Sequence, residues 1–329
     1  MTQDTRVAVC VVTHNCESDV ASFLAAVAGL RERPSEVVVV DSGSHDGTVQ
    51  LLREFSTTLA LRVEALSENV GYAAAMNRAL ELTDCPWILA LNADTSPEAG
   101  FLGALLSRAE RHPELRVAAV TGRLARPGEP ARLDACGMFL TPSWRHHDRG
   151  SGELDRGQWR TPQRVFGATG AAVLLRRRAL DDVATGGEIF ASEFHSFRED
   201  AELAFRLRER GWEVLYEPLA VAEHRRFNTP NRRRAMPAHV NYHSLKNRYL
   251  LRAYHQSLAN LLLTLVPTLL RDLGALAYAI ALERSSLGAY LWLWRNRRRI
   301  LAKRRQLRAR RSAPQRRVDR WFWTRGLPL

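Results

Sequence analysis

Apolar runs in the first hundred residues alternate with segments of helical spacing, and this alternation constrains the fold more than any other feature. The first run, Val7–Val12, is apolar throughout and rich in β-branched residues, which is typical of a parallel strand covered on both faces. Helical spacing follows between Ser18 and Leu30, and a second apolar run, Glu36–Val40, comes next. The pattern predicts an α/β fold with a doubly wound, mostly parallel sheet.

Polar side chains follow the predicted strands at the points where they end. They belong to Thr13, Asn15, Asp41, Ser44, Asn92 and Asp94. Ligands of open α/β sheets bind at the carboxyl ends of the strands, so a carboxylate there is a candidate for holding a ribose or a metal-bound diphosphate. The alternative for Asp41 and Asp94 is an ordinary turn or helix-capping role.

A glycine-bearing segment, Asn69–Tyr72, opens the third predicted helix. Gly71 is conformationally permissive and stands at the helix N-terminus, where a phosphate or a sugar can approach. Asn77 lies inside the helix, and a solvated helical residue is the alternative for it. Asp46 is assigned mainly to structure, as the residue that opens the second helix.

The second half of the chain contributes three more candidates. Glu199 and Asp200 precede a helix, so stabilisation of the positive helix N-terminus is the alternative to a catalytic role. His224 follows a predicted strand, and a lone histidine is commonly structural. Between residues 126 and 164 the pattern loosens, which predicts long loops and a hairpin that shape a substrate cleft.

In this order the motifs resemble the nucleotide-sugar half of family 2 glycosyltransferases, which are inverting enzymes of GT-A type, and in particular the rhamnosyltransferase-like branch. The match continues through Gly167–Ala171 and covers roughly residues 6–250. The resemblance implies a Rossmann-like, mostly parallel sheet with flanking helices. It implies a glycosyltransferase domain over 1–250, with a nucleotide-sugar half of about 1–125 and an acceptor half of about 126–250. Residues 251–329 form a C-terminal helical, basic extension.

The resemblance also implies a role for each candidate. Asp200 is the expected catalytic base, with Glu199 as its support. Asp94 and His224 are the expected ligands of a divalent cation, Mg²⁺ or Mn²⁺. The nucleotide-sugar site is expected to include Thr13, Asn15, Asp41, Ser44, Asn69, Gly71, Asn77, Asn92 and Asp94. The first position of the family's D-x-D-type motif is Asn92 here, so we expect the cation to depend on the donor's phosphate oxygens.

The cysteines Cys10, Cys16, Cys85 and Cys136 lack C-x-x-C spacing, which favours a reducing cytosol over a disulfide framework or a zinc site. The N-terminus shows no signal-peptide pattern, because the run Val7–Val12 is too short. No G-x-G-x-x-G motif follows the first strand, which argues against a dinucleotide-dependent enzyme.

The segment from Arg295 to the end carries 14 Arg or Lys against one acid, Asp319, and so holds the whole formal net charge of +13. Aromatic residues flank it: Tyr290, Trp292 and Trp294 before it, and Trp321, Phe322 and Trp323 near its end. This predicts an anchor on an anionic membrane surface. Nonspecific contact with nucleic acid is the alternative, and no specific nucleic-acid partner is expected.

The apolar stretch that begins at Leu258 is broken by Pro267 and by Arg271-Asp272. It predicts helices that pack on the body or lie in a membrane interface, rather than a single spanning helix. Basic residues at Arg225-Arg226, at 232–234 and near Lys246 and Arg248 are candidates for contact with a diphosphate or an anionic acceptor.

These observations predict an inverting glycosyltransferase that is peripheral at the cytoplasmic face of the membrane. It would transfer a sugar, with rhamnose among the candidates, from a nucleotide-diphosphate sugar donor to a glycan or polyprenyl-linked glycan acceptor. The alternative is a non-catalytic nucleotide- or glycan-binding protein recruited to membrane or RNA by its basic tail.

Overall fold

We describe the protein from a computed structural model, which defines residues 4–56, 60–128, 131–226 and 236–329. The strands are β1 (Val7–Thr13), β2 (Glu36–Ser42), β3 (Leu61–Leu66), β4 (Trp87–Asn92), β5 (Thr95–Pro97), β6 (Val117–Arg126), β7 (Arg132–Ala135), β8 (Met138–Thr141), β9 (Arg145–Asp148), β10 (Gln163–Val165), β11 (Ala172–Arg176) and β12 (Glu213–His224).

The helices alternate with the strands in the first half of the chain and follow one another in the last third. They are α1 (Glu17–Ala28), α2 (Thr48–Phe55), α3 (Tyr72–Glu81), α4 (Phe101–Glu110), α5 (Arg177–Val183), α6 (Glu199–Glu209), α7 (Ala238–His255), α8 (Leu258–Leu263), α9 (Leu265–Leu282), α10 (Gly288–Arg295), α11 (Arg297–Arg310) and α12 (Gln315–Asp319).

One mixed sheet runs through the described part of the chain in the order β10-β12-β6-β11-β4-β1-β2-β3. Its β3-β2-β1-β4 half is parallel, and β11 lies antiparallel between β4 and β6. The winding reverses between β1 and β4, which makes their carboxyl ends the topological switch point, where open sheets bind their ligands. The predicted α/β fold with a mostly parallel sheet is confirmed.

Alternating side chains of the parallel strands enter two apolar layers. Val9 and Val11 of β1 point into the layer covered by α1 and α4, and Ala8 and Cys10 point into the layer covered by α3, α5 and α6. All four are fully buried. Both faces of β1, β2 and β4 are covered, so the polar side chains of these strands stand at the strand ends, and the candidate polar groups lie at the switch point.

The region between residues 126 and 164 contains the predicted hairpin, formed by β8 and β9 with Met138 opposite Asp148. The short strand β5 pairs with the end of β12, which places Thr95 opposite His224. The domain limits expected from the resemblance fall inside continuous elements: residue 125 lies in β6, and residue 250 lies in α7.

The C-terminal region is helical as predicted, but its basic segment is not a free tail. Arg304 donates to the carbonyl of Gln256 at 2.5 Å, and Arg310 donates to that of Asp182 at 2.7 Å. The predicted membrane role of two aromatic residues is corrected: Trp321 and Phe322 are only 1% and 2% exposed. They pack with Trp144, Phe166 and Phe205, because large apolar rings gain most from burial in the core.

We expect Trp321→Leu to lower the free energy of unfolding by about 2 kcal/mol, since it removes ring volume from a closed core. Chemical denaturation of the full chain measures this. Trp323→Leu is the matched control, because Trp323 is 61% exposed and its replacement should change stability by less than about 0.5 kcal/mol. Equal effects of the two substitutions would show that Trp321 is not part of the core.

The largest exposed apolar surface lies on α8 and α9. Leu258, Leu262, Val266 and Leu270 are between 66% and 69% exposed. By length and composition, α9 qualifies as a candidate membrane span in the described part of the chain, with a mean hydropathy of 1.5. However, Asp272 at its centre accepts hydrogen bonds from Arg248 and Arg252 of α7, both at 2.5 Å, so α9 is joined to the body there.

Candidate functional site

The ends of β1 and β2 form one hydrogen-bonded unit around Asp41. Thr13 and Asp41 are direct neighbours in the parallel ladder, and the Thr13 hydroxyl donates to Asp41 Oδ1 at 2.8 Å. The Ser44 amide donates to Oδ2 at 2.8 Å and its hydroxyl to Oδ1 at 2.6 Å. Three of the roughly four acceptor positions of the carboxylate are therefore used by the protein, and they fix the loop at the switch point.

Asn15 joins the same loop from the β1 side. Its backbone amide donates to the Ser44 hydroxyl at 2.8 Å, and its side-chain oxygen accepts from the His45 amide at 2.8 Å. Asp46 accepts from the Thr48 amide and hydroxyl and from the Glu17 amide, which agrees with a structural role at the start of α2.

Gly71 has a positive φ of 84° and permits the close approach of a histidine. A Cβ atom at this position would lie 2.2 Å from His195 Nδ1. Asn69 Oδ1 accepts from the Gly71 amide at 2.9 Å, and the His195 carbonyl accepts from the Ala73 amide at 3.0 Å. The amides of Gly71 and Ala73 are thus bonded within the protein, and the neighbour that Gly71 admits in the structure is His195.

Asn77 contacts the protein backbone rather than the cleft. Its side-chain oxygen accepts from the Phe190 amide at 2.8 Å, and its side-chain nitrogen donates to the Phe190 carbonyl at 2.7 Å. These paired bonds hold the segment before Glu199 against α3. These contacts give Asn77 a positioning role in the structure, and its place in the nucleotide-sugar site stays a prediction.

Asp94 and His224 come together because of the pairing between β5 and β12. His224 lies opposite Thr95, one residue beyond Asp94, and its Nε2 is 3.3 Å from Asp94 Oδ1. A further backbone hydrogen bond holds the two segments together, since the Arg225 amide donates to the Asp94 carbonyl at 3.0 Å. Asn92 ends β4 beside them, and its amide donates to the Ala171 carbonyl at 2.9 Å.

Asp134 of β7 completes this arrangement and was not among the predicted site residues. Its Oδ2 is 2.7 Å from His224 Nδ1, and its Oδ1 accepts from Arg126 and Arg226 at 3.2 and 3.1 Å. Burial alone would lower the pKa of His224, but its hydrogen bonds to Asp134 and Asp94 outweigh burial and raise that pKa to about 9. Asp134 is fully buried, so its charge acts at close range.

A carboxylate that holds one ring nitrogen of a histidine while the other nitrogen faces a second ligand is a recurrent metal-site arrangement. Two ligand atoms on one octahedral cation lie about 3 Å apart, because each is about 2.1 Å from the metal. The 3.3 Å separation of Asp94 Oδ1 and His224 Nε2 fits that requirement. These residues are therefore suited to a shared divalent cation.

Asp134→Asn is expected to weaken Mn²⁺ binding at Asp94 and His224, and any reaction that depends on it, by about 10- to 100-fold, because the histidine loses the carboxylate that fixes its ring orientation. Steady-state rates at several Mn²⁺ concentrations measure the effect, which should be partly recovered at high Mn²⁺. The matched control is Asp155→Asn, since Asp155 also pairs with an arginine, at 2.5 Å from Arg123, but is not bonded to His224. Activity loss that Mn²⁺ does not relieve would contradict a positioning role.

Glu199 and Asp200 open α6 from a strained turn. His195, Phe197 and Arg198 all have positive φ, at 62°, 70° and 72°. Non-glycine residues rarely adopt this conformation, and such strain collects at functional sites. The turn directs both acids inward: Glu199 is buried, and Asp200 is half-buried.

The two acids differ in their partners. Asp200 accepts from the Gly170 amide at 3.2 Å and the Ala201 amide at 2.7 Å, whereas Glu199 Oε2 is buried without a hydrogen-bond partner in the described part of the chain. Burial raises the pKa of Glu199, and the neighbouring Asp200 raises it further. Burial also raises the pKa of Asp200, followed by the charge of Asp148. Two backbone amides, those of Gly170 and Ala201, stabilise the Asp200 anion, whereas Glu199 gains one such contact and is raised further by its neighbour, so Asp200 is the acid of the pair that ionises first.

The segment Gly167–Ala171 connects the acids to the metal-type site. Its Gly170 amide bonds Asp200, and its Ala171 carbonyl accepts from the Asn92 amide and from the Thr95 hydroxyl at 3.0 Å. β11 follows this segment and pairs with β4, with Ala172 opposite Leu91. The structure thus brings Asp94, His224 and Asp200 to one end of the sheet, from positions far apart in the chain.

A family model described as Glycosyl transferase family 2 matches residues 8–184, more than half of the 329-residue chain. Among curated proteins, N-acetylglucosaminyl-diphospho-decaprenol L-rhamnosyltransferase of Mycobacterium tuberculosis (strain ATCC 25618 / H37Rv) is 27% identical over 256 residues, which cover 68% of this chain and 77% of that enzyme. Poly-beta-1,6-N-acetyl-D-glucosamine synthase of Staphylococcus aureus (strain COL) is 24% identical over 208 residues, or 63% of this chain and 47% of the synthase.

Two solved structures share the fold of this chain. Mannosyltransferase PcManGT from Pyrobaculum calidifontis, in complex with GDP-Man and Mn²⁺, aligns with a TM-score of 0.55 at 21% identity, over 94% of this chain and 86% of that one. S. aureus TarS 1–349 in complex with UDP-GlcNAc aligns with a TM-score of 0.55 at 16% identity, over 97% and 91%. The predicted GT-A type architecture is confirmed.

Proposed function

This chain belongs to glycosyl transferase family 2, and we propose that it transfers a hexose with inversion from a nucleoside diphosphate sugar to a glycan or polyprenyl-linked glycan acceptor. One observation carries the proposal. The pair Asp94–His224, held by Asp134, and the base candidate Asp200 converge on the switch point through the single segment Gly167–Ala171. That is where a donor diphosphate and an acceptor hydroxyl would need to meet.

The donor's nucleoside would bind beside the loop fixed by Asp41. Thr13 and Ser44 already use most of the acceptor positions of that carboxylate, so it offers one remaining position to a ribose hydroxyl or base edge. Asn15 and Asn69 contribute by holding the loop in shape. Asn92 would contact the donor or the cation at the end of β4.

The cation would be held by Asp94 and His224, with phosphate oxygens and water in its other positions. When bound, a divalent cation supplies positive charge that stabilises the departing diphosphate. An imidazole ligand suits Mn²⁺ at least as well as Mg²⁺. The mannosyltransferase PcManGT was solved with Mn²⁺, which supports the same choice of cation class here.

Asp200 would act as the base. As the acceptor hydroxyl oxygen forms its bond to the anomeric carbon, the bond from that carbon to the diphosphate breaks on the opposite face, and the hydroxyl proton passes to Asp200. Glu199 remains protonated beside it, which leaves a single negative charge in the buried pair. The products are the inverted glycoside and the nucleoside diphosphate.

The similarity to the mycobacterial rhamnosyltransferase favours L-rhamnose as the sugar and a diphospho-polyprenol-linked sugar as the acceptor. The exposed apolar face of α8 and α9 would lie in the cytoplasmic membrane interface, where such an acceptor is found. This replaces the basic tail as the main contact with the membrane.

A liposome sedimentation assay tests the membrane surface. Val266→Glu together with Leu270→Glu should abolish binding to anionic liposomes, since two charges enter the apolar face. Leu219→Glu is the matched control, because Leu219 is 75% exposed but lies in β12. Retained binding of the double variant would exclude α9 as the attachment surface.

A panel of nucleotide sugars tests the function. The purified chain with Mn²⁺ or Mg²⁺ should bind one donor class and release its nucleoside diphosphate slowly by hydrolysis in the absence of acceptor. Binding without hydrolysis or transfer to any acceptor would instead identify a non-catalytic binding protein. If the folded chain binds none of the donors, the proposed transferase function is rejected.

A further inference from the structure

A cavity of about 350 Å³ lies beside α6, on the side toward α9. Its charged lining comes from elements distant in sequence: Arg145 of β9, Arg198 before α6, Arg248 of α7 and Arg271 of α9. Glu283 is the one carboxylate among the lining residues. Small-molecule sites generally have volumes of about 300–1,000 Å³, so the cavity can hold a ligand.

Two of the four guanidinium groups form no ion pair with a carboxylate in the described part of the chain. Arg248 is paired with Asp272 at 2.5 Å, but Arg145 and Arg271 form no ion pair with any residue the structure describes. The Nε of Arg271 is also buried without a hydrogen-bond partner there. Burial lowers the pKa of Arg271 to about 9, with further lowering by Arg248, Arg145 and Arg198. The cavity thus concentrates positive charge that an anion would neutralise.

The cavity stands between the catalytic acids and the apolar surface. Arg198, which lines it, directly precedes Glu199. On α9, Arg271, Ala275, Tyr278 and Ala279 share the face toward the cavity, as their helical spacing requires. The exposed Leu270 and Leu273 lie on the remaining surface of the same helix.

We propose that this cavity binds the diphosphate of a lipid-linked acceptor, whose hydrocarbon chain follows the exposed apolar face of α9. Arginine suits this task because its planar group donates two parallel hydrogen bonds to phosphate oxygens. Anchoring the diphosphate here would present the acceptor's sugar hydroxyls toward Asp200. The assignment rests on the proposed function, since it names the acceptor of that reaction.

Binding of geranyl diphosphate to the full chain in EDTA tests the assignment by calorimetry. We expect Arg145→Gln together with Arg271→Gln to weaken binding by at least about ten-fold, since each removes a charge-assisted hydrogen-bonding group. Arg298→Gln is the matched control, because Arg298 is exposed on α11 and lies outside the cavity. Its affinity should equal that of the wild type.

The melting temperature of the double variant shows whether it folds, and it should not fall, because like charges are removed. Arg271→Lys should weaken binding less than Arg271→Gln, since it keeps the charge and loses the planar fork. Equal affinities of the double variant, the control and the wild type would overturn the assignment.

Inorganic pyrophosphate and geraniol distinguish the source of the ligand. Geranyl diphosphate should bind more tightly than pyrophosphate, because it adds apolar contact with α9, and geraniol should not bind measurably. If pyrophosphate binds as tightly as geranyl diphosphate, the cavity is a site for a free phosphate compound, and the proposal of a lipid-linked ligand is overturned. Donor binding by the wild type with Mn²⁺ is measured separately, so failure of the proposed function is distinguishable from failure of this cavity.

Discussion

Replacing Asp200 with asparagine is expected to lower sugar transfer by about 10²- to 10⁴-fold, the usual contribution of a positioned general base. The asparagine keeps the shape of the side chain, but its one oxygen can accept from Gly170 or from Ala201 and not from both, because these amides bond different oxygens of Asp200. We expect a loss of stability of about 1 kcal/mol and a donor affinity close to that of the wild type. Transfer and nucleotide binding are measured on the same preparation. A fully active Asp200→Asn variant would exclude Asp200 as the base.

Glu199→Gln is the matched control for this substitution. If Glu199 carries a proton at neutral pH, a glutamine resembles it closely, and transfer should fall by less than about ten-fold. The pH profile gives a second readout. Because the pKa of Asp200 is raised, the base becomes protonated at a higher pH than an ordinary aspartate, and transfer should decline as the pH falls through that raised value. A profile unchanged by Glu199→Gln would contradict coupling of the pair.

Asp94→Ala is expected to reduce transfer by about 10³-fold or more, because the proposed carboxylate ligand of the cation is lost and stabilisation of the leaving diphosphate is worth several kcal/mol. The rate should stay low at every Mn²⁺ concentration, unlike that of Asp134→Asn. Asp181→Ala on the surface of α5 is the control and should retain wild-type rates. If excess Mn²⁺ restored sugar transfer by the Asp94→Ala variant, groups other than Asp94 would hold the cation.

The strands β1, β2 and β4 could be predicted because each is an apolar run whose two faces are both buried. The polar residues at their ends followed from the same rule, since the carboxyl ends of parallel strands share one edge. Glu199, Asp200 and His224 required the family resemblance, because each also has a plausible local role. Their order along the chain carried information that no single residue contained.

Asp134 and the arginine cavity could not be predicted, because both depend on contacts between distant elements. Asp134 reaches His224 only after β7 pairs with β6, and nothing in its neighbouring residues distinguishes it from a loop acid. The backbone contacts of Asn77 and the burial of Trp321 were missed for a related reason. The sequence around an asparagine or a tryptophan looks the same whether the side chain is exposed to solvent or packs against a segment that is distant in the sequence.

The central claim is that Asp94 and His224 hold a cation together with the donor's diphosphate. Calorimetric titration of Mn²⁺ into the full chain, with and without the nucleoside diphosphate that the donor panel identifies, tests it most directly. We expect weak Mn²⁺ binding alone, because Asn92 replaces an acid, and at least about ten-fold tighter binding with the nucleotide, where phosphate oxygens complete the site. Tight Mn²⁺ binding without nucleotide, or an identical titration for Asp94→Ala, would contradict the claim.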